Sequence, residues 1–104
     1  MNNKNEIKLV IGDTLDITFL LKSDIDIKEA YFICRDLNIS QKLTQSTDKN
    51  TWRLLVDENQ TKFLASGNFD YDIKVVFFDN TFYTACYRAS LMVLPNVNYL
   101  ERRV

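Results

Sequence analysis

The side chains able to do chemistry in this chain are few: two cysteines, Cys34 and Cys86; one carboxylate pair, Asp70 and Asp72; and a second pair, Asp24 and Asp26, beside Ser23. Histidine is absent, which removes the commonest general base, pH-responsive side chain and metal ligand together. Two thiols without histidine do not complete a four-ligand zinc site. Ser40, Ser90 and Thr84 have no imidazole to activate them. Gly12 and Gly67, the only glycines, cannot assemble a phosphate-cradling loop. No nucleophile–base pair emerges, so no enzymatic activity, cofactor or bound metal is expected.

Each remaining constellation has a plainer reading. Cys34, Trp52 and Cys86 follow the order of an immunoglobulin disulfide framework, but position 84 is threonine where a tyrosine belongs and Trp52 comes too late in the chain. Two buried free thiols acting as small apolar side chains are expected instead. Asp70 and Asp72 alternate with Phe69, Tyr71 and Ile73, so they share one strand face. With no calcium-loop pattern around them, they are read as a solvated face. Asp24 and Asp26 suit a turn.

The elements that position these groups are short and extended. Leu15, Ile17 and Phe19 alternate with polar residues over 15–21, as do Ala30, Phe32 and Cys34 over 27–35, and Trp52, Leu54 and Val56 over 51–56. The cleanest alternation runs over 69–77, with Phe69, Tyr71, Ile73, Val75 and Phe77 on one side. This period of two marks half-buried strands. Further strands are expected over 7–11, over 39–45 as a polar edge strand, and over 82–94, long enough to bend or serve both sheets. Asp79-Asn80 reads as a tight two-residue hairpin, since both types tolerate positive φ. Residues 57–64 break the alternation. Asp57 and Gln60 form a capping pair for a helical turn that Gly67 would end, with Phe63 or Leu64 plugging the core.

The fold expected is therefore all-β: an immunoglobulin-like antiparallel β-sandwich of about seven strands with one short helical turn, over residues 1–95. Its core would hold Ile17, Phe19, Phe32, Trp52, Leu54, Leu64, Tyr71, Ile73, Val75, Leu91 and Val93. Pro95 should end the last strand, leaving a tail over 96–104.

Composition fits one globular domain. The chain has 104 residues, 46% hydrophobic, enough to build a core. With 13 basic and 14 acidic residues the net charge is -1, so no nucleic-acid partner is expected. No run has the length of a membrane span, and the polar start, Met1-Asn2-Asn3-Lys4, lacks a signal-peptide pattern, which points to folding in a reducing cytoplasm.

The second half carries a resemblance. A polar helical turn over 57–62 leads to Leu64, Gly67, Phe69 and then Tyr71-Asp72-Ile73. Asp79-Asn80-Thr81-Phe82-Tyr83-Thr84 follows as a hairpin, and Leu91-Met92-Val93-Leu94-Pro95-Asn96-Val97 closes the pattern, with Gly12-Asp13-Thr14 at its opening. This resembles the immunoglobulin-like N-terminal domains of tailed-phage upper baseplate, tail and head-fibre proteins. Asn80 stands where the pattern usually has glycine, and only a short tail follows here where further domains are common. The resemblance implies a non-enzymatic virion protein, made in the bacterial cytoplasm, that contacts other virion proteins in several copies as an adaptor or decoration subunit. The candidate contact residues are Tyr83 and Tyr87, read as one face of the last strand with Ala85, and Tyr99, Leu100, Arg102 and Arg103 in the tail. The alternative is a carbohydrate-binding sandwich at a bacterial surface, which requires an exposed aromatic platform that includes Trp52.

Overall fold

Gly12 makes the first corner. It sits at φ 92, and the Asp13 N–H donates to the Val10 carbonyl at 3.0 Å, as in a type II turn, whose third residue needs the positive φ that glycine adopts freely. The computed structural model describes residues 6–95. Eight strands follow in order: β1 (Ile7–Val10), β2 (Leu15–Leu20), β3 (Ile27–Cys34), β4 (Ile39–Lys42), β5 (Thr44–Gln45), β6 (Thr51–Val56), β7 (Gly67–Phe77) and β8 (Phe82–Leu94). A 3₁₀ turn, Arg35–Leu37, follows β3, and the short helix α1 (Glu58–Thr61) follows β6.

The strands form two sheets, one in the order β1-β8-β7-β3-β4 and the other β2-β6-β5. All pairs are antiparallel except β1 with β8, which run parallel from Ile7 opposite Leu91 to Val10 opposite Leu94. Strands β3, β7 and β8 take the C, F and G places of an immunoglobulin sandwich, and β2, β6 and β5 take B, E and D. The chain is an immunoglobulin-like β-sandwich, with its first strand beside the last one instead of on the smaller sheet.

The expected single strand over 39–45 is two strands. Leu43 divides it: β4 pairs with β3, and β5 pairs with β6 on the other sheet. Leu43 is buried at the crossing, and its N–H donates to the Ala30 carbonyl at 2.8 Å. One buried leucine among polar neighbours is enough to carry a chain from one layer to the next.

Strand β8 stays in one sheet and absorbs its length through bulges. Tyr71 faces Ala89, Ile73 faces Cys86 and Lys74 faces Thr84, so β8 spends an extra residue twice against β7. Each bulge re-aims the side chains that follow it. The β7–β8 hairpin is also looser than a two-residue turn. Phe77 donates to the Thr81 carbonyl at 3.0 Å and accepts from the Asn80 N–H at 2.9 Å. Of the two turn residues expected to have positive φ only Asn80 does, at φ 69, which makes a three-residue loop with a left-handed closing residue.

Helix α1 starts as expected: the Asp57 side chain accepts from the Gln60 N–H, and the Gln60 side chain accepts from the Asp57 N–H. It ends at Lys62, before Gly67, which instead opens β7. The fully buried Thr61 anchors the turn by donating its hydroxyl to the Asp13 carbonyl at 2.7 Å. Leu64 packs partly against the core and Phe63 is exposed.

The core lies between the sheets, with Trp52, Leu54, Tyr71, Ile73, Phe32, Val75, Leu91 and Val93 all buried as the alternation requires. Each such large side chain, fully buried, contributes about 1.5–3 kcal/mol. Ile17, Phe19 and Leu64 are half-buried, not core; Ile17 and Phe19 lie on the edge strand of the smaller sheet. Where an antibody domain sets its disulfide and tryptophan on the B, F and C strands, this chain sets three aromatic rings. Phe19 and Phe32 lie 6.3 and 4.9 Å from Tyr71, centroid to centroid.

Candidate interaction surface

Leu20 pairs with Thr51 at one end of the smaller sheet, and Ile27 pairs with Phe77 at the matching end of the larger. This brings the loops over 21–26, 46–50 and 78–81 together. They are internally fastened. The Ser23 hydroxyl accepts the Ile25 N–H at 3.1 Å, and Lys49 meets Asp26 at 3.3 Å. Asp79 accepts from the Thr81 N–H at 3.0 Å and the Thr81 hydroxyl at 2.6 Å; the side-chain and main-chain donors of Thr81 hold the Asp79 carboxyl below its ordinary pKa.

On these fastened loops, and on the strand ends beside them, large apolar side chains stand in water. Leu20, Ile25, Phe78 and Tyr83 are each 61–66% exposed; Phe82, 76% exposed, pairs with Val76 and turns to the opposite face of the sheet from Tyr83. Scattered single apolar residues on a surface are ordinary, but a group gathered at one end of the sandwich makes this end a candidate interaction surface. Below it an open groove of about 830 Å³ runs between Leu20 of β2, with Leu21 just past it, and Tyr83 and Ala85 of β8. A second groove continues along the same seam past Phe19, Tyr71 and Cys86. The seam exists because five strands face three. Leu43 joins β4 to β5 at one margin, so the surplus width falls at the other, where β8 and β1 project beyond β2.

The bulges in β8 separate the two tyrosines expected on one face. Tyr83 lies opposite Val75 and lines the seam, while Tyr87 lines a shallow site on the other side with Arg35, Asp70, Asp72 and Arg88. No period-two reading finds this, because each extra residue inverts the alternation after it. The other expected contact residues, Tyr99, Leu100, Arg102 and Arg103, lie outside the described residues. Ile25 and Phe78 were missed because each stands in a loop, where alternation carries no signal.

Asp70 and Asp72 do not form a solvated pair. Asp72 is buried, 4% exposed. It accepts from the Arg88 N–H at 2.8 Å and from the Arg35 guanidinium at 2.9 Å. The Arg88 N–H, followed by the Arg35 side chain, overcomes burial and holds the Asp72 carboxyl below its ordinary pKa. Asp70 is exposed and pairs with the Arg88 side chain at 3.1 Å. Both carboxylates thus serve a bulge. Among the described residues no three His, Cys, Asp or Glu side chains are grouped to hold a metal.

Trp52 is 2% exposed and offers no stacking surface for a sugar. Cys34 and Cys86 are free, on β3 and β8 with β7 between them. Burial pushes both thiols up. Tyr71 donates to Cys86, and burial also pushes the Tyr71 phenol far up. No helix among the described residues is long and apolar enough to cross a membrane.

No protein-family model matches the chain, and no curated protein matches it. Solved structures do. A putative glycoside hydrolase from Bacteroides vulgatus superposes with a TM-score of 0.51 at 14% identity, over 86% of this chain. This chain spans 16% of that protein's length. The ZIG-8–RIG-5 IG1–IG1 heterodimer gives a TM-score of 0.49 at 15% identity, covering 90% of this chain and 87% of that one. At such identities the first match speaks to the fold alone.

Proposed function

We propose that this domain is a non-enzymatic docking module, a structural subunit of a tailed-phage or prophage virion that joins other virion proteins through its loop end. The observation that carries docking is the group Leu20, Ile25, Phe78 and Tyr83, exposed at one end of the sandwich on strand ends and on loops fastened by hydrogen bonds. Burying those side chains against a partner releases the solvent they now order, at about 25 cal/mol per Å² of apolar area. Rigid loops lose little entropy on binding. The virion setting rests on the sequence resemblance over 57–97. A docking subunit of this kind has no need of catalytic residues, and its near-neutral charge leaves apolar contact as the source of affinity.

Quantitative mass spectrometry of particles purified from an induced culture of the encoding bacterium tests the reading. A fixed copy number relative to capsid and tail proteins is expected. Absence from intact particles overturns the virion assignment.

A further inference from the structure

We infer that the exposed edge of β2 receives an extended segment of a partner protein as a fourth strand of the smaller sheet, a mode of docking that rests on the reading above. Leu21 donates to the Asn50 carbonyl at 2.7 Å, which fixes the phase of the β2–β6 ladder. Leu15, Ile17 and Phe19 therefore exchange main-chain bonds with β6, and Asp16, Thr18 and Leu20 turn their N–H and C=O groups away from it. Strand β2 ends its sheet, and among the described residues nothing pairs with that side.

The other edges are poor templates. Edge strands β1, β4 and β5 have four, four and two residues. The open edge of β8 is bulged twice, a device that twists an edge away from pairing. Only β2 offers six residues in unbroken register, and it runs beside the seam. A strand added there would face outward at every second residue and lay the alternate side chains over Ala85, Cys86 and the flank of Tyr83. Those belong to the inner face of β8 that three strands leave uncovered.

These features define the occupant: an extended stretch of about five to seven residues, the usual strand length, with apolar side chains of modest size at alternate positions. Main-chain pairing supplies affinity and the alternate pockets supply selectivity. A second copy joined β2 to β2 does not fit, because the β8 and β1 margins of both copies project past β2 into the same space.

The test uses isotope-labelled protein and, as probe, an acetylated and amidated peptide alternating valine and threonine between terminal lysines. Amide hydrogen exchange at Asp16, Thr18 and Leu20 is followed with and without the peptide. These amides should exchange quickly in the free protein and become protected with the peptide. Thr18→Pro, which removes one outward donor and leaves the bonds to β6, should weaken peptide binding by about tenfold or more; Thr18→Val should stay within about twofold. Each variant's β6 amides report that the fold is intact, and the exchange readout stands even if Thr18→Pro does not fold. Three results overturn strand addition: no binding, binding without protection of these amides, or protection already present before the peptide is added, whether or not it depends on protein concentration. Particles that retain the chain while these amides stay unprotected would sink strand addition alone, whereas absence of the chain from particles sinks the virion reading itself.

Discussion

The main-chain N–H of Arg88, a residue held at φ 52, donates to the buried carboxylate of Asp72 at 2.8 Å. Left-handed backbone is unfavourable for a residue with a Cβ, and Arg88 lies in one of the two bulges at which β8 changes its side-chain phase. Asp72 stabilises that conformation from the neighbouring strand, and the exposed Asp70–Arg88 pair adds little. One buried acceptor thus holds the bulge after which Ala89 returns to face Tyr71, while the other bulge, around Ala85, separates Tyr83 from Tyr87.

Replacing Asp72 should therefore cost more than replacing Asp70. Asp72→Ala strands the Arg88 N–H, and a lost buried partner costs about 1–3 kcal/mol. Asp70→Ala, losing an exposed ion pair, should cost under about 1 kcal/mol. Urea unfolding of both variants measures the difference, and equal midpoints would refute the assignment.

Arg88→Gly should be neutral or stabilising. It loses the pair with Asp70 but relieves the left-handed strain, on the order of 1 kcal/mol. Arg88→Val should be worse than either, because a β-branched side chain tolerates this backbone least. A Tm order of Gly at or above Arg, with Val lowest, is expected from thermal scans.

The pH dependence has a definite sign. The folded pKa of Asp72 lies below its ordinary value of about 3.9, so its contribution is complete above that value and is lost as pH falls through the folded pKa. Acid unfolding of the wild type should steepen below about pH 4. Asp72→Asn, which keeps an acceptor for Arg88 but cannot ionise, should show a shallower acid limb. Identical limbs would remove Asp72 from the account.

Trp52 was legible from its alternation with Leu54 and Val56, and its burial should give a blue-shifted emission resistant to acrylamide. Its Nε1 is buried without a hydrogen-bond partner among the described residues. Trp52→Phe consequently sheds an orphan donor along with apolar contact, and should destabilise less than Leu54→Ala, a cavity costing about 2–5 kcal/mol. A red-shifted, easily quenched emission would return the carbohydrate platform to contention.

Much of the sandwich could be read from residue order alone, since a strand with one buried face writes that burial into every second residue. Strand β6 and the run Tyr71, Ile73 and Val75 in β7 show it. The features that build the surface follow other rules. Leu43 changes sheets, the bulges at 84–89 invert the phase of β8, and Asp72 occupies an outward position yet is buried beneath Arg35 and Arg88. Ile25 and Phe78 stand on loops, where exposure depends on what the neighbouring loops cover. The capping pair of Asp57 and Gln60 was visible because it is local, three residues apart.

The central claim, docking through the loop end, is tested most directly by particle copy number for the wild type and for Ile25→Ser/Phe78→Ser. Both substitutions lie on exposed side chains and should leave stability nearly unchanged, within about 0.5 kcal/mol. The account predicts a fixed copy number for the wild type and a loss of about tenfold or more for the double variant, with folding intact by circular dichroism. Equal incorporation of both proteins would contradict docking through this surface.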